Sequence, residues 1–133
     1  MSVRPVVLIA DDDRDILELV ALTLERDGYE VAQAHNGDEA LRIAAGRTLH
    51  LAILDLMMPG IDGYEVTRKL READGPNPLP ILILSAFAED RQAALALAAG
   101  ADAYMRKPFS PRELLAKAGS LVLDRRPRTR LAG

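Results

Sequence analysis

Three short apolar runs alternate with stretches of helical periodicity along the chain. Each run is continuously apolar rather than alternating, which is typical of strands in a parallel sheet that is covered on both faces. The runs are PVVLIA (5–10), LAILD (51–55) and PILILSA (80–86). Two weaker runs, YEVAQA (29–34) and ADAYMR (101–106), fit strands at the outside of the sheet. The pattern therefore predicts five strands, three of them buried.

Amphipathic stretches separate these runs and predict helices over 14–27, 38–46, 63–73, 89–99 and 111–123. Gly28, Gly46 and Gly100 each follow a helical run, where a C-terminal cap needs a positive φ. Ser110-Pro111-Arg112-Glu113 has the residues of a capping box, with proline at the first helical position. Five β–α units in series predict an α/β fold, a five-stranded parallel sheet with right-handed crossovers, doubly wound as (βα)5.

Length and composition are those of one globular domain. The chain has 133 residues, of which 49% are apolar and 28% charged, enough for a proper core. It has no cysteine, which excludes disulfides and thiolate metal sites. No apolar run approaches the ~20 residues that span a bilayer, and MSVRPVV lacks the pattern of a signal peptide. We therefore expect a cytoplasmic protein that does not enter a membrane.

The net charge of −3 is unevenly distributed. Residues 124–133 carry four arginines and one aspartate, which leaves −6 on residues 1–123. An acidic body is a poor candidate for direct binding to nucleic acid. The basic, proline-containing end has no periodicity, which is typical of a linker or a frayed terminus. We expect one domain over 1–123 and a basic tail or linker over 124–133.

Polar residues interrupt the apolar strands at one end only. The first strand is followed by Asp11-Asp12-Asp13, and the third ends at Asp55. The fourth reaches Ser85, and Lys107 follows the fifth. In open α/β sheets, ligands bind outside the carboxyl ends of the strands, and the common order 2-1-3-4-5 makes the first and third strands neighbours. We therefore expect several carboxylates, one hydroxyl and one ammonium group around one crevice.

This set of side chains suits phosphoryl chemistry. Oxygen ligands without histidine or cysteine favour a hard cation, and few carboxylates with open positions fit Mg²⁺ better than Ca²⁺. A carboxylate beside such a cation can attack phosphorus and form an aspartyl-phosphate, to which Lys107 and Ser85 could supply positive charge and a donor. Singly, each residue has an ordinary explanation as a turn residue, a surface lysine or a helix cap, as we expect for Asp13. Their joint placement at four strand ends favours a site.

Four stretches together resemble the receiver domain of two-component response regulators, the CheY-like family with a flavodoxin-like fold. They are VLIADDD, LAILDLMMPGIDGYE, ILILSA and GADAYMRKPFSPRELL, and the resemblance covers residues 5–123. No single stretch would suffice, but their order and spacing are specific. The resemblance implies a switch that takes a phosphoryl group from a histidine of a sensor kinase or a phosphotransfer protein.

The resemblance also implies roles for the acidic residues. Asp55 matches the phospho-acceptor, which also contacts the Mg²⁺ ion. Asp12 matches a direct Mg²⁺ ligand, and Asp11 matches one that acts largely through water. The remaining ligand in the family is a backbone carbonyl two residues after the acceptor, which here belongs to Met57.

Three further residues match the family's switch. Ser85 would hydrogen-bond the phosphoryl group, and Lys107 would pair with it, held by what is often a cis peptide to Pro108. Tyr104 matches the aromatic residue that turns inward when the hydroxyl moves. The surface altered by phosphorylation would consist of helix 89–99, strand 102–106 and helix 111–123.

Two helices could meet partners. In the family, the start of helix 14–27 docks the helical bundle of the kinase or phosphotransfer protein, so Ile16 and Leu19 are candidate contacts, with ordinary packing as the alternative. Helices 89–99 and 111–123 would meet an effector domain or partner protein. Helix 89–99 carries charges only at its start, which does not favour a symmetric dimer through charged pairs. We expect a monomer or weak dimer, and the alanine-rich helix is either well packed or an apolar docking face.

Two other functions compete with a phosphorylated switch. A scaffold of the same fold could bind partners without phosphorylation. A phosphatase with an aspartyl nucleophile would want an acid–base aspartate two residues after the nucleophile, where this chain has Met57. We therefore expect a signalling switch, not an enzyme acting on other substrates. Met57, Met58 and Phe87 are predicted to lie beside the acceptor and to slow dephosphorylation by hindering the attacking water.

Overall fold

The structure is a computed structural model that describes residues 4–86 and 90–123. In these residues five strands alternate with five helices. The elements are β1 (Val6–Ala10), α1 (Arg14–Arg26), β2 (Glu30–Ala34), α2 (Gly37–Gly46), β3 (Leu51–Asp55), α3 (Gly63–Glu72), β4 (Ile81–Ser85), α4 (Asp90–Ala99), β5 (Ala103–Arg106) and α5 (Pro111–Leu123). All strand pairs are parallel, and the sheet order is β2-β1-β3-β4-β5. The predicted doubly wound order is confirmed.

Apolar side chains on the two faces of the sheet form two separate hydrophobic cores. Every residue of β1, β3 and β4 is buried, whereas β2 and β5 form the edges. Val7 and Ile9 pack with α1 and α5, and Leu8 and Ala10 pack with α2, α3 and α4. Because successive side chains of a strand point to opposite faces, a continuous apolar run is what this three-layer arrangement requires.

The helix ends follow the sequence signals closely. The backbone N–H of Ser110 donates to Glu113 Oε1 at 2.9 Å, and the N–H of Glu113 donates to Ser110 Oγ at 3.1 Å, so the predicted capping box is present. Gly28 and Gly100 have φ of 96° and 118°, as predicted for helix ends. The prediction for Gly46 is wrong, because this residue is the last of α2 and an extended residue follows it.

Helix α4 leaves its large apolar side chains exposed. Of its described side chains, 91–99, only Ala96 is buried, while Leu95 and Leu97 are 46% and 50% exposed. The structure therefore does not support the alternative of a well-packed alanine-rich helix. Among the described helices, none is long and apolar enough to cross a bilayer.

The predicted basic tail, 124–133, and Phe87 both lie outside the described residues. The single domain over 1–123 and the tail over 124–133 stay predictions.

Candidate functional site

Three carboxylates meet at the carboxyl edge of the sheet. Asp11 and Asp12 follow β1, Asp55 ends β3, and these two strands are neighbours. Each residue places a carboxylate oxygen so that all three lie within 4.8 Å of one another. Asp11 and Asp55 are 2% and 6% exposed, whereas Asp12 is exposed to solvent. The strand order thus brings together the acidic residues singled out in the sequence.

Lys107 joins two of these carboxylates from the loop after β5. Its Nζ donates to Asp11 Oδ2 at 2.9 Å and to Asp55 Oδ1 at 3.2 Å. Its backbone N–H donates to the Ser85 carbonyl oxygen at 2.8 Å, and the peptide bond to Pro108 is cis. Burial lowers the pKa of Lys107, but the hydrogen bond to Asp11 and the charges of Asp55 and Asp11 outweigh it and raise that pKa. The ammonium group therefore stays charged at neutral pH.

One ammonium group does not balance three carboxylates. Burial raises the pKa of Asp55 to about 6, and the charge of Asp11 adds to this effect, while Lys107 opposes it. A carboxylate with a raised pKa is destabilised in its charged form, so a further positive charge at this place would be favourable. The oxygen donors and the excess negative charge fit a hard divalent cation such as Mg²⁺.

The three consecutive aspartates have three different surroundings. Both oxygens of Asp11 are engaged, because Oδ1 accepts the N–H of Asp13 at 2.9 Å and Oδ2 accepts from Lys107. Asp13 caps α1, as expected, and its side chain accepts from the N–H groups of Asp15 and Ile16. Asp12 lies between them with an exposed side chain. Only Asp11 and Asp12 of the three belong to the acidic cluster with Asp55.

Ser85 and Tyr104 lie in β4 and β5, the two strands that follow β3 in the sheet. Ser85 ends β4 and is fully buried, and its strand neighbour Leu84 pairs with Asp55 of β3. Tyr104 lies in β5, pairs with Ile83 and is half-buried against the core on the α4 side of the sheet. The hydroxyl and the aromatic ring are therefore one and two strands away from β3.

The apolar residues near Asp55 divide into two kinds. Met57 is 58% exposed, in the loop that follows β3. Met58 lies in the same loop but is 7% exposed and belongs to the core, so Met57 rather than Met58 offers an exposed side chain there. Met58 belongs to the same core cluster as Leu56 and Val66.

The importance of Gly63 was not evident from the sequence. A Cβ atom here would lie 2.7 Å from the carbonyl oxygen of Asp55 and 2.9 Å from Cα of Leu56. The N–H of Gly63 donates to the Leu56 carbonyl at 2.9 Å. Any side chain at this position would push α3 away from the acceptor loop. The available signal was the Asp62-Gly63 pair directly before a helical run, with Asp62 as the N-cap.

The apolar stripe of α1 is split between core and surface. Leu17, Val20 and Leu24 are buried, which accounts for ordinary packing. Ile16 is half-buried, and Leu19 is 47% exposed. Leu22, one turn further along, is 48% exposed. The helix therefore presents an apolar strip to solvent in addition to its core face.

Comparison with known proteins agrees with this geometry. The family model described as "response regulator receiver domain" matches residues 7–119. The alkaline phosphatase synthesis transcriptional regulatory protein PhoP of Bacillus subtilis is 42% identical over 116 residues, which are 87% of this chain and 48% of that protein. The chain thus spans about half the length of the curated relatives it matches.

Two solved structures illustrate the similarity of fold. The chemotaxis response regulator CheY4 of Vibrio cholerae has a TM-score of 0.85 at 32% identity, covering 90% of this chain and 99% of that one. The beryllofluoride-activated receiver domain of DrrB has a TM-score of 0.82 at 27% identity, covering 91% of this chain and 99% of that one. Both share the (βα)5 arrangement described above.

Proposed function

The chain belongs to the response regulator receiver domain family, and from this we propose that Asp55 accepts a phosphoryl group from a histidine of a sensor kinase or phosphotransfer protein. The observation that carries this proposal is the meeting of the Asp11, Asp12 and Asp55 carboxylates within 4.8 Å, with the Lys107 ammonium group on two of them. A surface cluster of acids would have neither the burial of Asp55 nor a half-buried lysine beside it.

Mg²⁺ is the proposed cofactor. Asp12, Asp55 and the backbone carbonyl of Met57 would hold the ion, and Asp11 would act largely through water. The engagement of both Asp11 oxygens by Lys107 and Asp13 supports an indirect role for Asp11. A bound divalent ion supplies positive charge between the acceptor carboxylate and the incoming phosphoryl oxygens.

Phosphoryl transfer would proceed by direct attack. With a pKa of about 6, Asp55 is mostly ionised at neutral pH, so its carboxylate is available as the nucleophile. A new oxygen–phosphorus bond forms as the phosphorus–nitrogen bond to the histidine breaks, and the electron pair stays on that nitrogen, which takes up a proton. Lys107 is already in contact with Asp55 and would pair with the phosphoryl oxygens.

The switch would then act on the α4–β5–α5 side. The Ser85 hydroxyl would donate to the phosphoryl group, and Tyr104 would turn inward from its half-buried position in β5. Helix α4 is held by one buried side chain among those described, so a small change beneath it can alter its position. The altered surface of α4, β5 and α5 would carry the signal to an effector domain or partner protein.

The remaining assignments follow from the family and the exposed surfaces. Leu19, with Ile16 beside it on α1, is the proposed contact for the kinase or phosphotransfer protein. The domain would act in the cytoplasm as a monomer or weak dimer, without direct contact to nucleic acid. It would catalyse only its own phosphorylation and dephosphorylation.

The direct test is incubation with acetyl phosphate and Mg²⁺, followed by intact-mass measurement. The parent protein is expected to gain one phosphoryl group, and Asp55→Asn is expected to gain none. Asp13→Asn is the matched control, because it removes a carboxylate from the same run at the residue that caps α1, and it should still be phosphorylated. A parent protein without an adduct would point instead to a scaffold, and an adduct in Asp55→Asn would overturn the assignment of the acceptor.

Met57 is expected to protect the aspartyl-phosphate from water. Its exposed side chain stands two residues after the acceptor, and Met57→Ala would open a path for the attacking water. We expect the phosphoryl group to be lost about threefold faster, which requires a barrier lower by less than about 1 kcal/mol. Leu97→Ala, at an apolar residue of α4 that is 50% exposed, is the control for general effects and should leave the lifetime unchanged. Equal lifetimes of Met57→Ala and the parent would contradict a shielding role.

A further inference from the structure

Polar contacts, rather than burial, connect α4 to the rest of the domain near its start. The hydroxyl of Tyr64, in the first turn of α3, donates to Oε1 of Gln92 in α4 and lies 3.4 Å from the Gln92 carbonyl oxygen. Among the described side chains of α4, only Ala96 is buried. The bond between Tyr64 and Gln92 therefore forms a substantial part of the attachment of this half of α4.

A second contact with α3 holds the other end of α4. Nε of Arg71 donates to the carbonyl oxygen of Gly100 at 2.8 Å, and Nη2 donates to Asp102 Oδ2 at 2.6 Å. Nη1 binds Leu79 O at 2.6 Å and Asp74 Oδ2 at 2.9 Å. A Cβ atom on Gly100 would lie 2.7 Å from Cγ of Arg71, so the two residues are in close contact. With four acceptors around one guanidinium group, Arg71 of α3 joins the end of α4 to the segments that precede β4 and β5.

Tyr64 is also placed next to the phosphorylation site. It follows Gly63, whose backbone N–H donates to the Leu56 carbonyl in the loop after β3 and where a Cβ atom would collide with the Asp55 carbonyl. Its ring and that of Tyr104 pack against the same core cluster. Burial raises the pKa of the Tyr64 hydroxyl and the neighbouring Tyr104 adds to this, so the hydroxyl is protonated and can donate at neutral pH. One side chain thus contacts α4 from the first turn of the helix that adjoins the acceptor.

We propose that Tyr64 is a positioning residue of the switch, which holds the first half of α4 in its unphosphorylated position through Gln92. Arg71 anchors the far end of α4 in both states, so that α4 pivots near Gly100 when the Tyr64 contact is released. This inference rests on the proposed phosphorylation of Asp55. A bond that exists in only one of two conformations shifts the equilibrium between them when it is removed. One net hydrogen bond corresponds to a shift of about fivefold towards the phosphorylated conformation.

Binding of beryllofluoride in the presence of Mg²⁺, measured on the full chain by fluorine NMR, reads out this equilibrium. A ligand that favours the phosphorylated conformation binds more tightly when the unphosphorylated conformation is destabilised. Tyr64→Phe, which removes only the hydroxyl, should lower Kd by up to about fivefold. Gln92→Ala should also lower Kd. The double variant should show little further change, because both substitutions remove the same contact.

Two control variants separate positioning from general stability. Tyr29→Phe removes a hydroxyl from a tyrosine that belongs to the core on the opposite face of the sheet, and should leave Kd unchanged. Arg71→Lys removes part of the anchor, and should lower the melting temperature without changing Kd. A changed Kd in Arg71→Lys would contradict an anchor common to both states.

The outcomes distinguish this inference from the function on which it depends. If the parent binds beryllofluoride and Tyr64→Phe and Gln92→Ala bind it more tightly, the positioning role is supported. If the parent binds it but both variants bind equally or more weakly, the positioning role is wrong and the proposed function stands. If the parent does not bind it at all, the proposed function fails and the inference fails with it. Melting curves of each variant establish that it is folded, and Gln92→Ala tests the same contact if Tyr64→Phe is not.

Discussion

Asp55→Asn is expected to make the metal-free protein more stable at neutral pH, although it removes the proposed acceptor. Asp55 is 6% exposed, and burial together with the charge of Asp11 raises its pKa to about 6. In the unfolded chain the pKa of aspartate is about 3.9. The ionised carboxylate therefore destabilises the folded state at pH 7, by an amount of up to about 3 kcal/mol. The neutral amide removes this cost.

The gain will be smaller than the full electrostatic cost. Relaxation of the surroundings and water penetration reduce the cost of a buried charge, whereas the favourable effect of Lys107 is already contained in the raised pKa of Asp55. We expect a net stabilisation of about 1–2 kcal/mol, or a melting temperature higher by roughly 5 °C. The measurement is the free energy of unfolding in urea, with a chelator present to remove divalent ions.

The pH dependence identifies the cause. Because the folded pKa of Asp55 lies above its unfolded value, the folded protein binds more protons between about pH 4 and pH 6. The contribution of Asp55 to stability is therefore greatest below about pH 4 and falls as the pH rises through about 6. The advantage of Asp55→Asn over the parent should grow over this window and disappear below it.

Asp13→Asn is the matched control for this prediction. Asn is also a good N-cap, and the carboxylate of Asp13 is exposed. The free energy of unfolding of this variant should therefore differ from that of the parent by only about a few tenths of a kcal/mol. A difference between Asp55→Asn and the parent that does not change between about pH 4 and pH 7 would show that the buried charge is not its cause.

Mg²⁺ is expected to raise the melting temperature of the parent, and Asp12→Ala is expected to abolish this increase. The carboxylates of Asp11, Asp12 and Asp55 lie within 4.8 Å of one another, with the single ammonium group of Lys107 in contact with two of them. A cation that binds only the folded state stabilises it by about 2.7 kcal/mol at a hundred times its Kd. Without the Asp12 carboxylate, the proposed direct ligand is missing and the affinity should fall steeply.

Asp13→Ala shows whether the effect belongs to the site or to the acidic run in general. This variant loses the cap of α1 and should be less stable by about 0.5–2 kcal/mol, yet it should keep the full response to Mg²⁺. The two variants should therefore show opposite defects, since Asp12→Ala loses the response to Mg²⁺ and Asp13→Ala loses stability. If Asp12→Ala responds to Mg²⁺ as the parent does, the assignment of the metal ligands is wrong.

Much of the fold was predictable because its signals are local. The continuous apolar runs of β1, β3 and β4 indicated strands buried on both faces, and the capping box at Ser110 marked the start of α5 within one residue. Gly46 shows the limit of such signals, since a glycine at a helix end is compatible with a left-handed cap but does not require one. Met58 shows another, because two adjacent methionines in a loop do not reveal which of them turns inward.

The packing of α4 was open on sequence grounds for a physical reason. An alanine-rich helix forms readily whatever it packs against, so its sequence carries little information about its burial. Its attachment depends on Tyr64 and Arg71, which lie 28 and 29 residues away from their partners Gln92 and Gly100. Hydrogen bonds between such distant residues leave no periodic pattern.

The sequence by itself determined the order of strands and helices, the family, and the residues that stand at the carboxyl ends of the strands. These properties follow from apolar periodicity, caps and short motifs, which act over a few residues. Only the tertiary structure decided how closely the carboxylates of Asp11, Asp12 and Asp55 approach one another, that Lys107 contacts two of them, and why position 63 must be glycine. Distances, burial and the raised pKa of Asp55 arise from contacts between separate strands, and these exist only once the sheet has brought the strands together.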